Sequence, residues 1–192
     1  MSLNDKAATK LSAAPPEKPA DEKAPSLFKA AVLFILIFSV LELTYNSFRD
    51  TVVSEWIIDR ITVSTSALIL DALNTTEHVE PRGNRILSPS VKLTVKVGCE
   101  GTETLLLLVA AIAVLSISWR HKIIGMLVGS LLVYVLNLIR IISLFYALKY
   151  NKTLFDALHS YVAPLLIVII VGVCFSLWLS FINRTPDAAE PA

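Results

Sequence analysis

The sequence predicts an all-α integral membrane protein, a bundle of about four transmembrane helices with a small extracytoplasmic segment. Hydrophobic residues make up 55% of the 192 residues and charged residues only 17%, whereas about a quarter of the residues in a soluble domain are charged. Four long apolar runs follow one another along the chain, and a helix that crosses a bilayer needs about 20 largely apolar residues. The net charge of +1 offers no basic field for a nucleic acid.

Polar tails flank the apolar runs. Residues 1–26 are rich in Ala, Lys, Pro, Asp and Glu and contain no aromatic residue. Such a stretch cannot bury enough apolar surface to offset the entropy lost on folding. We expect a disordered cytoplasmic tail there and a second short tail over 185–192, with a membrane-embedded domain over 27–184 between them.

The predicted spans cover about 28–47, 103–119, 123–148 and 160–183. Because their number is even, both ends of the chain lie on one side of the membrane. Arg120 and Lys122 stand in a tight predicted loop between the second and third spans, and short basic loops face the cytoplasm. Both termini are therefore predicted to be cytoplasmic, with segment 49–102 on the extracytoplasmic side.

The extracytoplasmic segment combines two patterns. Residues 52–73 are largely apolar but include four charged residues, which make a membrane span expensive. An amphipathic helix at the interface is expected there, with insertion as the alternative. Over 91–97 apolar and polar residues alternate, as in a half-buried strand, and the turn-forming residues PRGN stand upstream at 81–84.

Composition and motifs exclude several classes of site. Two cysteines and three scattered histidines rule out a disulfide scaffold and a four-cysteine zinc site and disfavour a His/Cys metal cluster. The phosphate-binding motifs G-x-x-x-x-G-K-[ST] and G-x-G-x-x-G do not occur. The sequence therefore implies no metal, no organic cofactor and no nucleic acid partner.

Cys99 stands between Gly98 and Gly101, directly before the second predicted span. The two glycines allow a sharp turn with backbone angles that other residues avoid. The N-terminus of the following helix favours the thiolate, which is the nucleophilic form of cysteine. The alternative is an inert small residue at the entry to a helix.

Arg140 interrupts the third span about eight residues before its predicted outer end. An arginine at this depth costs up to about 3 kcal/mol, so a functional role is the default interpretation. The alternative is a structural ion pair with Glu42, which lies at a similar predicted depth in the first span. The two are compatible, because Glu42 could hold Arg140 in place. Asn137 shares a helix face with Arg140 and could fix the guanidinium by a hydrogen bond.

His159 stands at the outer start of the fourth span. Thr153 and Asp156 have the spacing of a helix N-cap and its N3 acid, and Pro164 is expected to kink the helix. Asp156 also shares a face with His159 and could orient the imidazole, although capping is its simpler role. For His159 itself, the alternative is an amphipathic anchor at the membrane interface.

Cys99, Arg140 and His159 come from three helices, and the predicted topology brings all three toward the outer face. A thiol, a base and a fixed cation are the groups that acyl transfer needs. The motif GCEG at 98–101, the motif NLIR at 137–140 and His159, in this order, resemble the exosortase/archaeosortase family of membrane-embedded cysteine transpeptidases. The resemblance covers about 27–184 and is nearest to short members such as the exosortase H type.

The resemblance implies a function at the outer face of the cytoplasmic membrane. Members recognise secreted proteins whose C-terminal sorting signal joins a short motif, a transmembrane helix and a basic tail, cleave near the motif and pass the new C-terminus to a surface acceptor. Carried over, it makes Cys99 the nucleophile, Arg140 the oxyanion- or substrate-positioning cation and His159 the acid/base. The substrate's helix would dock beside the bundle in the membrane lipid.

Several points stay open at the level of the sequence. Many members of the family have about twice as many spans, so the sorting motif that this compact chain reads is not determined. The sequence also does not determine the acceptor, the oligomeric state, or whether the reaction ends in hydrolysis or in transfer. A non-enzymatic membrane scaffold or small channel component is the alternative function, and it explains Arg140 and Glu42 as a structural pair.

Overall fold

The computed structural model of the chain describes residues 27–48, 57–73, 77–96, 98–99, 101–182 and 184. The predicted tails, 1–26 and 185–192, lie outside these ranges. So do residues 52–56, the first part of the predicted interfacial helix.

Helices dominate the described chain, which confirms the predicted fold class. They are α1 (Leu27–Ser47), α2 (Ser64–Leu73), α3 (Thr102–Val114), α4 (Trp119–Tyr150) and α5 (Lys152–Ile182). One π-helical turn, Ile57–Val63, leads into α2, and a second, Leu158–Val162, lies within α5. A small antiparallel sheet has the order β1 (Glu80–Arg82), β2 (Arg85–Leu87), β3 (Lys92–Thr94).

Among the residues that the structure describes, three helices, α1, α4 and α5, are long and apolar enough to cross a membrane. The helix predicted over 103–119 is shorter, because α3 has only 13 residues, or about 20 Å at 1.5 Å per residue. It ends where Leu115 takes an extended conformation, with ψ of 136°. The hydrocarbon core is about 30 Å thick, so three spans are supported by length and the count of four stays a prediction.

The predicted basic loop is wrong in detail, because Trp119 to Lys122 form the first turn of α4. The link itself is 115–118. Lys122 Nζ donates to the carbonyl oxygen of Ala113, 3.0 Å away, in the last turn of α3, where helix carbonyls lack partners and favour a cation. The positive charges still cluster at the α3–α4 link, which is the feature the topology prediction uses.

The apolar core has two levels along α4. At the inner level α3, α4 and α5 pack through Leu108, Ile112, Val133, Ile167 and Val171. At the level farther from the start of α4, the π-helical turn before α2, α2 itself, the sheet and the last part of α4 pack together. We call the turn, α2 and the sheet the outer layer. The buried cluster includes Val63, Ala67, Leu70, Ile86, Leu93, Ile141 and Phe145. Asn137 and Arg140 therefore lie where the bundle meets the outer layer.

The outer layer matches the predicted alternation. Val91, Leu93 and Val95 are buried while their neighbours Lys92 and Thr94 are exposed, although the strand that pairs with β2 is limited to the three residues of β3. The turn between β1 and β2 is formed at 83–84, within the predicted turn. Because α2 also buries residues in this layer, it packs as part of a folded cap on the bundle.

Two glycines of α4 allow close packing within the bundle. A Cβ on Gly125 would lie 2.4 Å from the ring of Trp178 in α5, and one on Gly129 would lie 2.4 Å from Leu108 in α3. Gly125 and Gly129, which are spaced as G-x-x-x-G, thus serve helix contacts inside this chain.

Candidate active site

The turn that carries Cys99 has the unusual backbone angles expected from its glycines. Gly98 has φ of 93° and Gly101 φ of 85°, values that residues with a Cβ rarely adopt. The N–H of Cys99 donates to the carbonyl of Lys96 at 2.9 Å, and Gly101 begins α3 by accepting from the N–H of Leu105 at 3.1 Å. The half-buried thiol is therefore held beside the first turn of α3.

Arg140 reaches this thiol from α4. Its Nη2 lies 4.0 Å from Cys99 Sγ, the outer limit of a hydrogen bond to sulfur, and the residue is only 9% exposed. A guanidinium at such a distance stabilises negative charge on the sulfur, and does so more strongly in partly desolvated surroundings. The structure thus joins two of the three candidate residues.

Glu42 does not form the expected ion pair with Arg140; neither of these described residues has the other as a partner. Instead, Glu42 Oε1 accepts a hydrogen bond from Asn46 Nδ2, one turn farther along α1, at 3.3 Å. The reason is the position of α1, which packs mainly against α3 rather than against α4. Similar depth in the membrane was therefore not enough to bring the two charges together.

Asn137 lies one turn before Arg140 but does not hydrogen-bond it. Its side chain is 1% exposed, and neither Oδ1 nor Nδ2 has a partner among the residues that the structure describes. It packs against Gly101, where an added Cβ would lie 3.1 Å from Asn137 Cγ. The glycine thus supplies space for the carboxamide as well as the turn.

His159 lies in the π-helical turn of α5, and its ring stacks on Phe155 with centroids 5.6 Å apart and planes 3° from parallel. Within the described chain it forms no hydrogen bond with Cys99 or Arg140. Phe155 packs on the outer core, as Cys99 does. The imidazole is therefore at the same end of the bundle as the thiol, without a hydrogen bond to it.

The start of α5 differs from the prediction. Asn151, not Thr153, is the N-cap, and its Oδ1 accepts from the N–H of Leu154 at 3.1 Å. Asp156 is exposed and, in the part of the chain described, makes no ion pair or hydrogen bond with His159. Pro164 lies two residues after the end of the π-helical turn Leu158–Val162, and the kink expected from its missing N–H stays a prediction.

An open groove of about 290 Å³ begins at Gly98 and Gly101 of the Cys99 turn. Its polar side is formed by Glu103, Asn137 and Arg140, and its apolar side by Phe38 of α1 and Pro164 and Val168 of α5. An extended peptide entering this groove would meet the guanidinium and the carboxamide together. Cys99 itself, His159 and Asp156 are not among its lining residues.

Comparison with known proteins gives the family. The family model described as Transmembrane exosortase (Exosortase_EpsH) matches residues 24–180. The chain belongs to the transmembrane exosortase family. No curated protein and no solved structure matches it.

The second cysteine, Cys174, lies away from this exosortase site. Cys174 is also a free thiol, but it lines a separate apolar cavity of about 70 Å³ together with Gly125 and Trp178. Across the described ranges no three His, Cys, Asp or Glu side chains come together as metal ligands would.

Sequence reasoning missed the contact that ties the outer layer to this exosortase's bundle. Lys149 Nζ, at the end of α4, donates to Glu77 Oε1 at 2.9 Å. A hydrogen bond from Ser90, followed by the contact with Lys149, holds the pKa of Glu77 below its usual value. The residues are 72 positions apart, so no local pattern signals the pair. Glu103 in the groove was also missed, although an acid in the first turn of a helix is visible in the sequence.

Proposed function

We propose that this exosortase-family chain is a membrane cysteine transpeptidase that cleaves the C-terminal sorting signal of secreted proteins and transfers them to a surface acceptor. The contact between Cys99 and Arg140, which lines an open groove together with Gly98 and Gly101 of the Cys99 turn, carries this proposal. A thiol beside a buried guanidinium is typical of an activated cysteine, and the family match agrees with it.

In the first step the Cys99 thiolate attacks the carbonyl carbon of the scissile peptide bond. The carbonyl oxygen takes the negative charge, and Arg140 stabilises it by charge and hydrogen bonding. As the C–N bond breaks, the leaving amine takes a proton, which we assign to His159. The products are a Cys99 thioester with the secreted protein and the released C-terminal helix.

In the second step a nucleophile of the acceptor, or water, attacks the thioester carbonyl. It gives its proton to His159, which restores the acid, and the Cys99 thiolate leaves as the C–S bond breaks. Each turnover therefore returns the Cys99 thiolate, the protonated His159 and the Arg140 guanidinium to their starting states.

His159 is assigned to the leaving group and the acceptor rather than to the thiol. In the described structure it stacks on Phe155 and forms no hydrogen bond with Cys99, whereas Arg140 Nη2 lies 4.0 Å from the sulfur. Charge stabilisation by Arg140 removes the need for a base in contact with the thiol. The imidazole is then free to exchange protons on the far side of the scissile bond.

The proposed orientation places the site at the outer face of the cytoplasmic membrane and both termini in the cytoplasm. It is supported by the basic residues Arg120 and Lys122 at the α3–α4 link, at the opposite end of α4 from the Cys99 contact. The apolar side of the groove, at Phe38 and Val168, would adjoin the substrate's own transmembrane helix in the lipid.

The scaffold alternative loses its main support. It explained Arg140 by a structural ion pair with Glu42, and these two described residues form none. The guanidinium instead points to a thiol, which is a poor structural partner but a useful catalytic one.

The test uses both cysteines of the chain. The protein is expressed with a secreted protein from the same genome that ends in a short motif, an apolar helix and a basic tail, and its cleavage is followed by immunoblot. We expect Cys99→Ala to abolish cleavage while the variant still accumulates in the membrane, and the matched control Cys174→Ala to cleave normally. Normal cleavage by Cys99→Ala would refute the proposed function.

A further inference from the structure

The carboxamide of Asn137 is buried without partners inside the candidate site. The residue is 1% exposed, and neither its donor Nδ2 nor its acceptor Oδ1 is hydrogen-bonded within the described chain. Burial of an unpaired amide destabilises a fold, so native proteins pair nearly all such groups. An orphan pair of this kind needs an explanation.

The residue that carries these unpaired atoms is part of the wall of the groove that begins at the Cys99 turn. Asn137 lines that groove with Gly98 and Arg140. On its other side, Gly101 approaches so closely that an added Cβ would lie 3.1 Å from Asn137 Cγ. The carboxamide is therefore fixed in position against the turn while its polar atoms stay unused.

Within the described residues, the Asn137 side chain forms none of the structural hydrogen bonds that could explain its burial. It does not hold Arg140, whose Nε is also buried and unpaired. By contrast, Ser143 on the same helix satisfies its hydroxyl by donating to the carbonyl of Ile139 at 2.8 Å. The missing partner of Asn137 is thus not supplied by the described part of the chain.

We propose that Asn137 binds the main chain of the substrate beside the scissile bond. A carboxamide offers one donor and one acceptor side by side, and a peptide chain offers a carbonyl oxygen and an N–H in the same arrangement. Asn137 Nδ2 donates to a substrate carbonyl, and Oδ1 accepts from a substrate N–H. This inference rests on the proposed function and assigns the residue that grips the substrate backbone.

Main-chain binding has a consequence for recognition. Both hydrogen bonds use groups that every peptide carries, so Asn137 holds an extended segment whatever its side chains. It acts on the peptide and not on the sulfur, whereas Arg140 acts on the sulfur in the absence of substrate. The two residues can therefore be separated by reagents of different chemistry.

The test compares two thiol reagents on the full-length protein in detergent, in a Cys174→Ala background. One is N-acetyl-Ala-Ala-Ala chloromethyl ketone, which carries main-chain amides, and the other is a small methanethiosulfonate, which carries none. We expect Asn137→Leu to slow alkylation by the peptide reagent about tenfold, the effect of roughly two lost neutral hydrogen bonds. The small reagent should react within about twofold of the parent rate, a margin well below the effect of one hydrogen bond.

Thermal unfolding gives an independent readout. Replacement of an unpaired buried amide by an isosteric apolar group is neutral or stabilising, so Asn137→Leu should keep or raise the Tm, by up to about 4 °C for a chain of this size. Ser143→Ala is the matched control, because it removes a polar group from the same helix outside the groove. It should leave the reaction rates with both thiol reagents unchanged.

Three results would overturn the inference. They are equal rates of Asn137→Leu and its parent with the peptide reagent, equal slowing with both reagents, and a large fall in Tm that accompanies the slowing. If Asn137→Leu does not fold, Asn137→Ser must show the same selective loss. Normal sorting by Cys99→Ala would remove the proposed function as well, whereas normal sorting by Asn137→Leu beside an inactive Cys99→Ala removes this inference alone.

Discussion

Replacement of Arg140 by Gln should slow the reaction of Cys99 with thiol reagents. Its Nη2 lies 4.0 Å from the sulfur, and two unit charges at 4 Å attract by about 4 kcal/mol at an effective dielectric constant of 20 and by about 1 kcal/mol in water. A less stabilised thiolate is a stronger nucleophile, which offsets a little under half of this loss. We therefore expect alkylation at pH 7 to slow by about threefold to thirtyfold.

The assay is the rate of iodoacetamide labelling in a Cys174→Ala background, with the fold checked by thermal unfolding. Arg140→Lys is the matched variant, because it keeps a positive charge while losing the planar guanidinium. Its rate should fall between those of Arg140→Gln and the parent. Equal rates for Arg140→Gln and the parent, in a folded protein, would show that the guanidinium does not act on the sulfur.

Two predictions concern stability rather than chemistry. Gly125→Ala should lower the free energy of unfolding by about 1–3 kcal/mol, because its Cβ would lie 2.4 Å from Trp178. Gly172→Ala is the control: nothing lies within 4 Å of its new Cβ, so its Tm should stay unchanged or rise. Equal melting temperatures of the two variants would refute the packing of Gly125 against Trp178. The lowered pKa of Glu77 means that its carboxylate stabilises the fold above its usual value of 4.5 and loses this effect as the pH falls through the lower folded value. The Tm should therefore drop in that acidic range, and less so for Glu77→Gln, as measured by unfolding in detergent; the same pH dependence in both would contradict a role for its contact with Lys149.

Hydropathy was enough to predict the helical membrane class and the long helices α1, α4 and α5. It was not enough for α3, because the apolar run over 103–119 continues past Leu115 whereas the helix ends before it. A charge-free run shows that a segment tolerates lipid, and it does not show which backbone conformation the segment takes. The alternation over 91–97 was more informative, since burial in a sheet imposes a period of two.

The site could be predicted only where local chemistry decided the geometry. Gly98 and Gly101 predicted the turn at Cys99, since few other residues adopt positive φ. The contact expected between Glu42 and Arg140 failed for a different reason. Nearly uniform apolar helices carry little information on which face meets which neighbour, so depth could be estimated while rotation could not.

Labelling of Cys99 in intact cells tests the central claim most directly. A Cys174→Ala background isolates the thiol, a membrane-impermeant maleimide reports its side of the membrane, and permeabilised cells give the full extent of labelling. The account predicts fast labelling of intact cells that becomes several times slower in Arg140→Gln. Labelling only after permeabilisation would place the site in the cytoplasm and contradict the proposed sorting reaction.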